Sequence, residues 1–196
     1  MQVTVTQETS WQRALNAARR TVGKAPLNKE PSDKFKINSM MSEHSQIKLV
    51  EWLVSFESLK QWVGVHLLRH SFILPFIHSQ RGDRRELRCK RDDLPQGEPN
   101  DQDFVINSQS LINISRRRLC RTASKETQKA WQAVKDRIAE QDPITARFMV
   151  RNCVYRGFCP EAPDKCCGFV KTKQFLDELN TYREGFTQNL LKPEEK

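Results

Sequence analysis

Ten residues near the first third of the chain narrow its choice of fold more than any others. From Lys48 to Glu57 the sequence reads KLVEWLVSFE. Val50, Trp52, Val54 and Phe56 alternate onto one face, while Leu49 and Leu53 contribute to the other. Period-two alternation of β-branched and aromatic residues fits a pleated strand in a sheet. A helix is expected straight after it, from about Leu59 to His70, with Trp62, Val65, Leu68 and Arg69 on neighbouring turns. Strand followed at once by helix means a mixed chain, with helices available to cover the sheet.

The remaining segments fit that class. Met1 to Gln7 alternates through Val3 and Val5 and reads as a first strand. Ser10 is placed to cap a helix that starts at Trp11 and carries Trp11, Leu15 and Ala18 on one side. Pro26 to Lys34 reads as a loop, and so does Arg91 to Asp103, where Pro95, Gly97 and Pro99 sit among acids. Ser108 to Thr122 reads as a helix, as does Lys125 to Glu140 with Ala130, Val134 and Ile138 at helical spacing. Asp142-Pro143 ends that helix and can start another. A final helix is expected from about Thr172 to Leu191. At 196 residues the chain suits a single core. The expected division is a nucleotide-binding part over 1–150, with a cysteine-containing loop and terminal helix over 151–196 packed on it.

Charge narrows the partners. The formal net charge is +9, from 33 basic and 24 acidic residues, which favours anions such as nucleotides, nucleic acid or an acidic lipid surface. Two basic clusters stand out, Arg81–Arg91 and Arg116–Arg121. They lack the interleaved aromatics of a stacking platform for single strands, so a solvated face or phosphate sites are the better readings. The most apolar window, Val63 to Ile77, falls short of the roughly 20 residues a bilayer span needs and is interrupted by Arg69 and His70. No membrane partner is expected. Met1 to Ser10 lacks the pattern of a secretion signal, so a cytoplasmic location and mostly reduced cysteines are expected.

Chemistry concentrates in two places. Arg69-His70, then His78, Ser79 and Arg81, put planar guanidinium donors, a hydroxyl and loop N–H groups around the apolar run from Phe72 to Ile77. Such clusters on either side of an apolar turn could form a pocket for a planar ring plus a phosphate. The bland alternative is a helix end followed by an ordinary core segment. Farther on, Cys153, Cys159, Cys166 and Cys167 fall within fifteen residues. Zinc ligation, a redox pair and small buried thiols are all compatible with them, although the spacing lacks the paired knuckles usual in structural zinc sites.

The stretch from Arg69 to Asp83 resembles the signature of the flavin-dependent thymidylate synthase (ThyX) family. That signature runs Arg-His-Arg, two variable residues, Ser, one variable, Asn-Glu, one variable, Ser, one variable, Arg-Tyr. Arg69, His70, Ser79 and Arg81 fall on matching positions. Ser71, Leu74, Phe76, Ile77 and Gly82 replace family residues. Upstream, Glu43-His44 is similar to the family's Glu-His pair; downstream, Asn107, Ser110, Leu111, Asn113 and Arg118 reproduce the spacing of a family helix. The opening strand and Ala17-Ala18-Arg19 add to the likeness, which covers about Met1 to Ile138.

The resemblance implies an α/β (α+β) fold with a central, mostly antiparallel sheet flanked by helices, here extended by the cysteine-rich C-terminal segment. It implies FAD contacts at His44, Arg69, His70, Ser71, Asn107 and Asn113. It further implies a site for dUMP or a relative at His66, Ser79, the Gln80 backbone, Arg81 and Arg118. Arg118 would polarise the pyrimidine as the catalytic group. Methylenetetrahydrofolate and NADPH would be co-substrates, and the assembly a homotetramer with sites between subunits. The replaced signature residues leave room for a same-fold enzyme acting on another pyrimidine nucleotide. A non-catalytic nucleotide- or nucleic-acid-binding protein with a metal-stabilised tail is the reading from another class.

Overall fold

The structure is a computed structural model in which residues 1–84 and 89–184 are described. In chain order the elements are β1 (Gln2–Gln7), α1 (Trp11–Thr21), α2 (Asp33–Met41), β2 (Glu51–Lys60), α3 (Gln61–Leu68), β3 (Ile73–Ile77), β4 (Pro99–Asn107), α4 (Ser108–Arg118), α5 (Lys125–Gln141), α6 (Pro143–Phe148), α7 (Asn152–Arg156) and α8 (Lys173–Arg183). The strands form one antiparallel sheet in the order β1-β2-β4-β3.

The alternating segment is the inner strand β2, and Val50, Trp52, Val54 and Phe56 are all buried. They meet Phe104 and Ile106 of β4, with Phe56 and Phe104 edge to face at 5.8 Å. A short 3₁₀ turn over Ser45–Leu49 takes the residues expected to open the strand, because Ile47 must turn into the core. Helices α1, α4 and α5 contribute to the same core through Trp11, Leu111, Trp131 and Val134, as do α7 and α8 through Val154, Phe175 and Tyr182.

Three expectations change. Arg91 to Asp103 is not all loop, since β4 begins at Pro99 and is the second inner strand. Its inward positions are Asn100, Gln102, Phe104 and Ile106, and two of the four being amides hides the alternation. Phe72 to Ile77 is not an apolar turn: Ile73–Ile77 is the edge strand β3, where Pro75 is tolerated because one side of the strand needs no N–H donor. Pro26 to Lys34 stops being loop at Asp33, where α2 starts with the Ser32 hydroxyl accepting from the Phe35 N–H. Of the final helix, Lys173–Arg183 is described, and the expected continuation to Leu191 lies outside the described residues.

Helix α3 lies close against β4. A Cβ on Gly64 would sit 1.8 Å from the Gln102 side-chain oxygen, so a larger residue there would force that buried amide to move.

Candidate functional site

One helix, α4, organises the site. Asn107 caps it, its side-chain oxygen accepting from the Ser110 N–H at 2.9 Å. Three turns then reach outward to the two loops that carry the sequence-predicted residues. Gln109 donates to Glu43 at 2.7 Å, and Arg116 makes an ion pair with the same carboxylate. Glu43 has a φ of 49°, so these two contacts hold a left-handed turn that sets His44 beside the N-terminus of the 3₁₀ turn. The Ser110 hydroxyl lies 3.1 Å from the Ser71 carbonyl and 3.3 Å from that of Phe72. Phe72 has a φ of 62°, an uncommon conformation for a bulky side chain, and Ser110 is the group that braces it.

The last turn of α4 supplies the chemistry. The Arg118 Nε–H donates to His70 Nε2 at 3.1 Å. Arginine can only donate, so His70 Nε2 must be unprotonated and its ring proton must sit on Nδ1. Burial, then the positive charges of Arg118 and Arg117, push the His70 pKa down to about 4. His66 is also lowered, by burial and then by Arg118 and Arg69, and its Nδ1 lies 3.4 Å from the Thr127 hydroxyl. Arg118 itself is lowered by burial and by its neighbours Arg69 and Arg117. Among the described residues no carboxylate forms an ion pair with Arg69 or Arg118. The arrangement is a knot of cations around two histidines held neutral. It suits an anion, or a carbonyl oxygen that gains negative charge.

His66, Arg69, His70 and Arg118 are thus brought together, with Ser71 at the adjoining turn. His44 and Asn113 are exposed, and the Asn113 oxygen lies 3.5 Å from Gln109 Nε2. The phosphate group of residues stands apart. Ser79, Gln80 and Arg81 follow the far end of β3, whose five residues span about 13 Å at roughly 3.3 Å per residue. There Asn100 donates to the His78 carbonyl at 2.7 Å. Arg81 makes a two-point ion pair with Asp83, at 2.9 and 2.8 Å, and both side chains are exposed. Part of the Arg81–Arg91 basic cluster, residues 85–88, lies outside the described residues.

Sequence reasoning missed the supporting roles of Gln109, Arg116 and Thr127, and named Ser110 only as a match of spacing. Arg116 is a correction as well. Its expected place on a solvated helix face is wrong, because its guanidinium stacks on Tyr155 at 3.6 Å while pairing with Glu43. The signal was available in the acid of the Glu43-His44 pair, which needs a cation once it is partly buried.

Cys153, Cys159, Cys166 and Cys167 line one cavity, joined by Cys120 from just beyond α4. Among the described residues no group of three or more His, Cys, Asp or Glu side chains is arranged to hold a metal ion. Nor is any described helix long and apolar enough to cross a membrane.

No family model matches the sequence, and no curated protein matches it. Solved structures do match in fold. The flavin-dependent thymidylate synthase ThyX from Helicobacter pylori, complexed with FAD and dUMP, aligns with a TM-score of 0.63 over 77% of this chain and 100% of that one, at 14% identity. A second structure of that enzyme with FAD and dUMP gives 0.62 over 76% and 99%, at 16% identity. The UMP/dUMP methylase PolB from Streptomyces cacaoi, bound with 5-Br dUMP, gives 0.58 over 80% and 96%, at 15% identity. With its four-stranded antiparallel sheet and flanking helices, this chain has a ThyX-like fold.

Proposed function

We propose that the protein binds FAD and a pyrimidine nucleotide, dUMP or a close relative, and transfers a one-carbon unit to C5 of the ring. The observation that carries this reading is the Arg118–His70 hydrogen bond at the end of α4, beside Arg69, with no carboxylate paired to either arginine among the described residues. The fold shared with enzymes solved in complex with FAD and dUMP supports it.

Arg118 is the proposed catalytic group, stabilising negative charge that grows on a pyrimidine carbonyl as C5 and C6 react. His70, held neutral, receives the Arg118 Nε–H and keeps the guanidinium from swinging into solvent. Arg69, His70 and Ser71 at one loop, with His44, Asn107 and Asn113 near the start and middle of α4, are the residues that would hold the flavin. The donor set fits that group, since cations and neutral donors, with the neighbouring Glu43 carboxylate already paired to Arg116, suit an electron-rich ring and a pyrophosphate. Reduced FAD would supply hydride, with methylenetetrahydrofolate as carbon donor and NADPH as reductant.

Ser79, the Gln80 backbone and Arg81 would hold the nucleotide phosphate. Within one chain they lie beyond β3 from Arg118, so the proposal places them against the Arg118 cluster of a second copy in a homotetramer. Titrating FAD into the full-length protein tests the reading directly. Flavin fluorescence should be quenched, and His70→Ala should weaken that quenching. No binding by folded protein at high micromolar FAD overturns it.

A second reading is favoured by the signature replacements. Leu74, Phe76 and Ile77 are exposed apolar residues along β3 where the family resemblance expects polar groups. A protein of this fold altered there would act on a different pyrimidine nucleotide. Calorimetry with UMP and dUMP side by side separates the two: tighter binding of UMP supports the second.

A further inference from the structure

Helix α5 packs against α3, and its first turn reaches one of the two histidines of the site. Ser124 caps α5, its hydroxyl oxygen accepting from the Thr127 N–H at 3.3 Å. The same hydroxyl lies 2.8 Å from the Thr127 hydroxyl, which in turn lies 3.4 Å from His66 Nδ1. Thr127 is fully buried, so its hydroxyl has only these protein partners. The His66 ring is also held by Trp62, edge to face at 5.3 Å. Among the described residues none hydrogen-bonds to His66 Nε2.

The chain of hydroxyls has a direction. Each hydroxyl has one proton to give. Ser124 gives its proton to Thr127, and its oxygen stays free to accept the N–H of the cap. Thr127 then has His66 Nδ1 as the acceptor for its own proton. The opposite direction would bring two donors onto the Ser124 oxygen and leave the Ser124 proton with no partner among the described residues. Burial, then the positive charges of Arg118 and Arg69, hold the His66 pKa below its ordinary value, which keeps the ring neutral. A neutral ring that accepts at Nδ1 carries its proton on Nε2. His70 is the reverse case, accepting at Nε2 from Arg118.

We propose that Ser124 and Thr127 are positioning residues that fix His66 as an Nε2–H donor for an acceptor oxygen of the ligand held at Arg118. The ligand half of this inference rests on the nucleotide site proposed above; the hydroxyl relay does not. A pyrimidine carbonyl and a phosphate oxygen share the required chemistry, since both accept and neither competes as a donor. A donor whose proton is already in place spares the ligand the cost of selecting one tautomer from two.

Two-bond nitrogen–proton correlation spectra of the full-length protein, labelled at histidine, read the tautomer. They are recorded about one unit above the ordinary histidine pKa, with His66 assigned by its loss in His66→Gln. The wild type should show His66 in the Nε2–H form. Ser124→Asp keeps a capping oxygen but replaces a donor by an acceptor. Thr127 must then turn its proton to the carboxylate, and His66 should switch to the Nδ1–H form. Thr127→Val breaks the relay and should give a mixture of the two forms, while Thr127→Ser should restore the Nε2–H form. A wild type in the Nδ1–H form overturns the proposal, and so does a tautomer that is unchanged in folded Ser124→Asp and Thr127→Val proteins. dUMP, deoxyuridine and inorganic phosphate are then titrated into the wild type. The His66 Nε2–H signal should move with dUMP. Movement with deoxyuridine assigns the ring carbonyl as acceptor, and movement with phosphate alone assigns the phosphate. By calorimetry, dUMP affinity should fall about fivefold in Thr127→Val, as for one neutral hydrogen bond. Binding of dUMP that leaves the His66 signal in place overturns the donor role. No binding of dUMP at all overturns the nucleotide reading instead, and the tautomer of the free protein still decides the relay.

Discussion

Three consecutive arginines at the end of α4 have three different environments, and this makes them separable by mutation. Arg117 is exposed, with a loose pairing to Glu161, so Arg117→Ala should leave turnover nearly unchanged. Arg116 is a structural cation between Glu43 and Tyr155. Its removal leaves the Glu43 carboxylate with the Gln109 amide but no cation, and chemical denaturation should show a loss of about 1.5–3 kcal/mol, the usual value of a hydrogen bond to a charged group. Arg118→Ala should cost about a hundredfold in turnover with a smaller loss in nucleotide binding, as expected for a preorganised charge-stabilising donor. If Arg117→Ala and Arg118→Ala behave alike in separate binding and product assays, Arg118 is only part of a basic face. The histidine beside it gives a spectroscopic prediction. With a folded-state pKa of about 4 against an ordinary value of 6.5, His70 stays neutral in the fold while the unfolded chain takes up a proton. Its contribution to stability is therefore present above about pH 6.5 and is lost as pH falls through about 4. NMR titration of the His70 ring should place its midpoint near 4. Arg118→Ala should move it upward, because one positive charge is removed. A midpoint unmoved by that change would show that the two side chains are not in contact.

At the scale of elements, Asp142 joins three helices. It caps α6 by accepting from the Thr145 N–H at 3.0 Å and from the Thr145 hydroxyl at 2.7 Å. It also accepts from Trp11 Nε1 of α1 at 2.7 Å, in the core at the end of α5. Asp142→Ala removes the cap and leaves buried donors unpaired. Denaturation should show a loss of about 2–4 kcal/mol, the cap and one orphaned donor together. Asp142→Asn should lose less, since an amide oxygen still accepts. The Asp142-Pro143 pair was legible in the sequence because proline at a first helical position and an acid before it have only local requirements. The same locality made β1, β2, α1 and α5 readable. Strand β4 was not readable, because its pattern is satisfied across the chain: Asn100 and Gln102 face inward only because His78 and Gln61 supply their partners. The apolar β3 misled for the converse reason. Phe72, Leu74 and Phe76 look like core and are exposed on an edge. Arg69 and His70 were legible as anion-binding chemistry and Arg118 only through a resemblance of spacing, and their mutual contact depends on where α3 and α4 end. No local pattern encodes that meeting.

At the scale of the molecule, the proposed site has two halves that one chain does not bring together. His66, Arg69, His70 and Arg118 gather where α3 and α4 end, while Ser79, Gln80 and Arg81 follow the far end of β3. The strand between them lies at the sheet edge and leaves Phe72, Leu74 and Phe76 more than half exposed, an apolar strip on an open edge. Edges of that kind are usually covered. If a second copy covers this one and brings its Arg81 to the first copy's Arg118, each site draws on two chains. Genetic complementation in vitro then gives a clear expectation. Arg81→Ala and Arg118→Ala proteins should each be nearly inactive alone. Denatured together and refolded as a mixture, they should recover activity, because some sites receive Arg81 from one variant and Arg118 from the other. For sites made from two chains with random assortment, roughly a quarter would be intact. A site built within one chain predicts no recovery at any mixing ratio, since every chain lacks one of the two groups. Failure to recover, in a mixture shown by mass to have exchanged subunits, would place both halves in a single chain and require β3 to move. Recovery without FAD dependence would keep the shared site and remove the flavin from it.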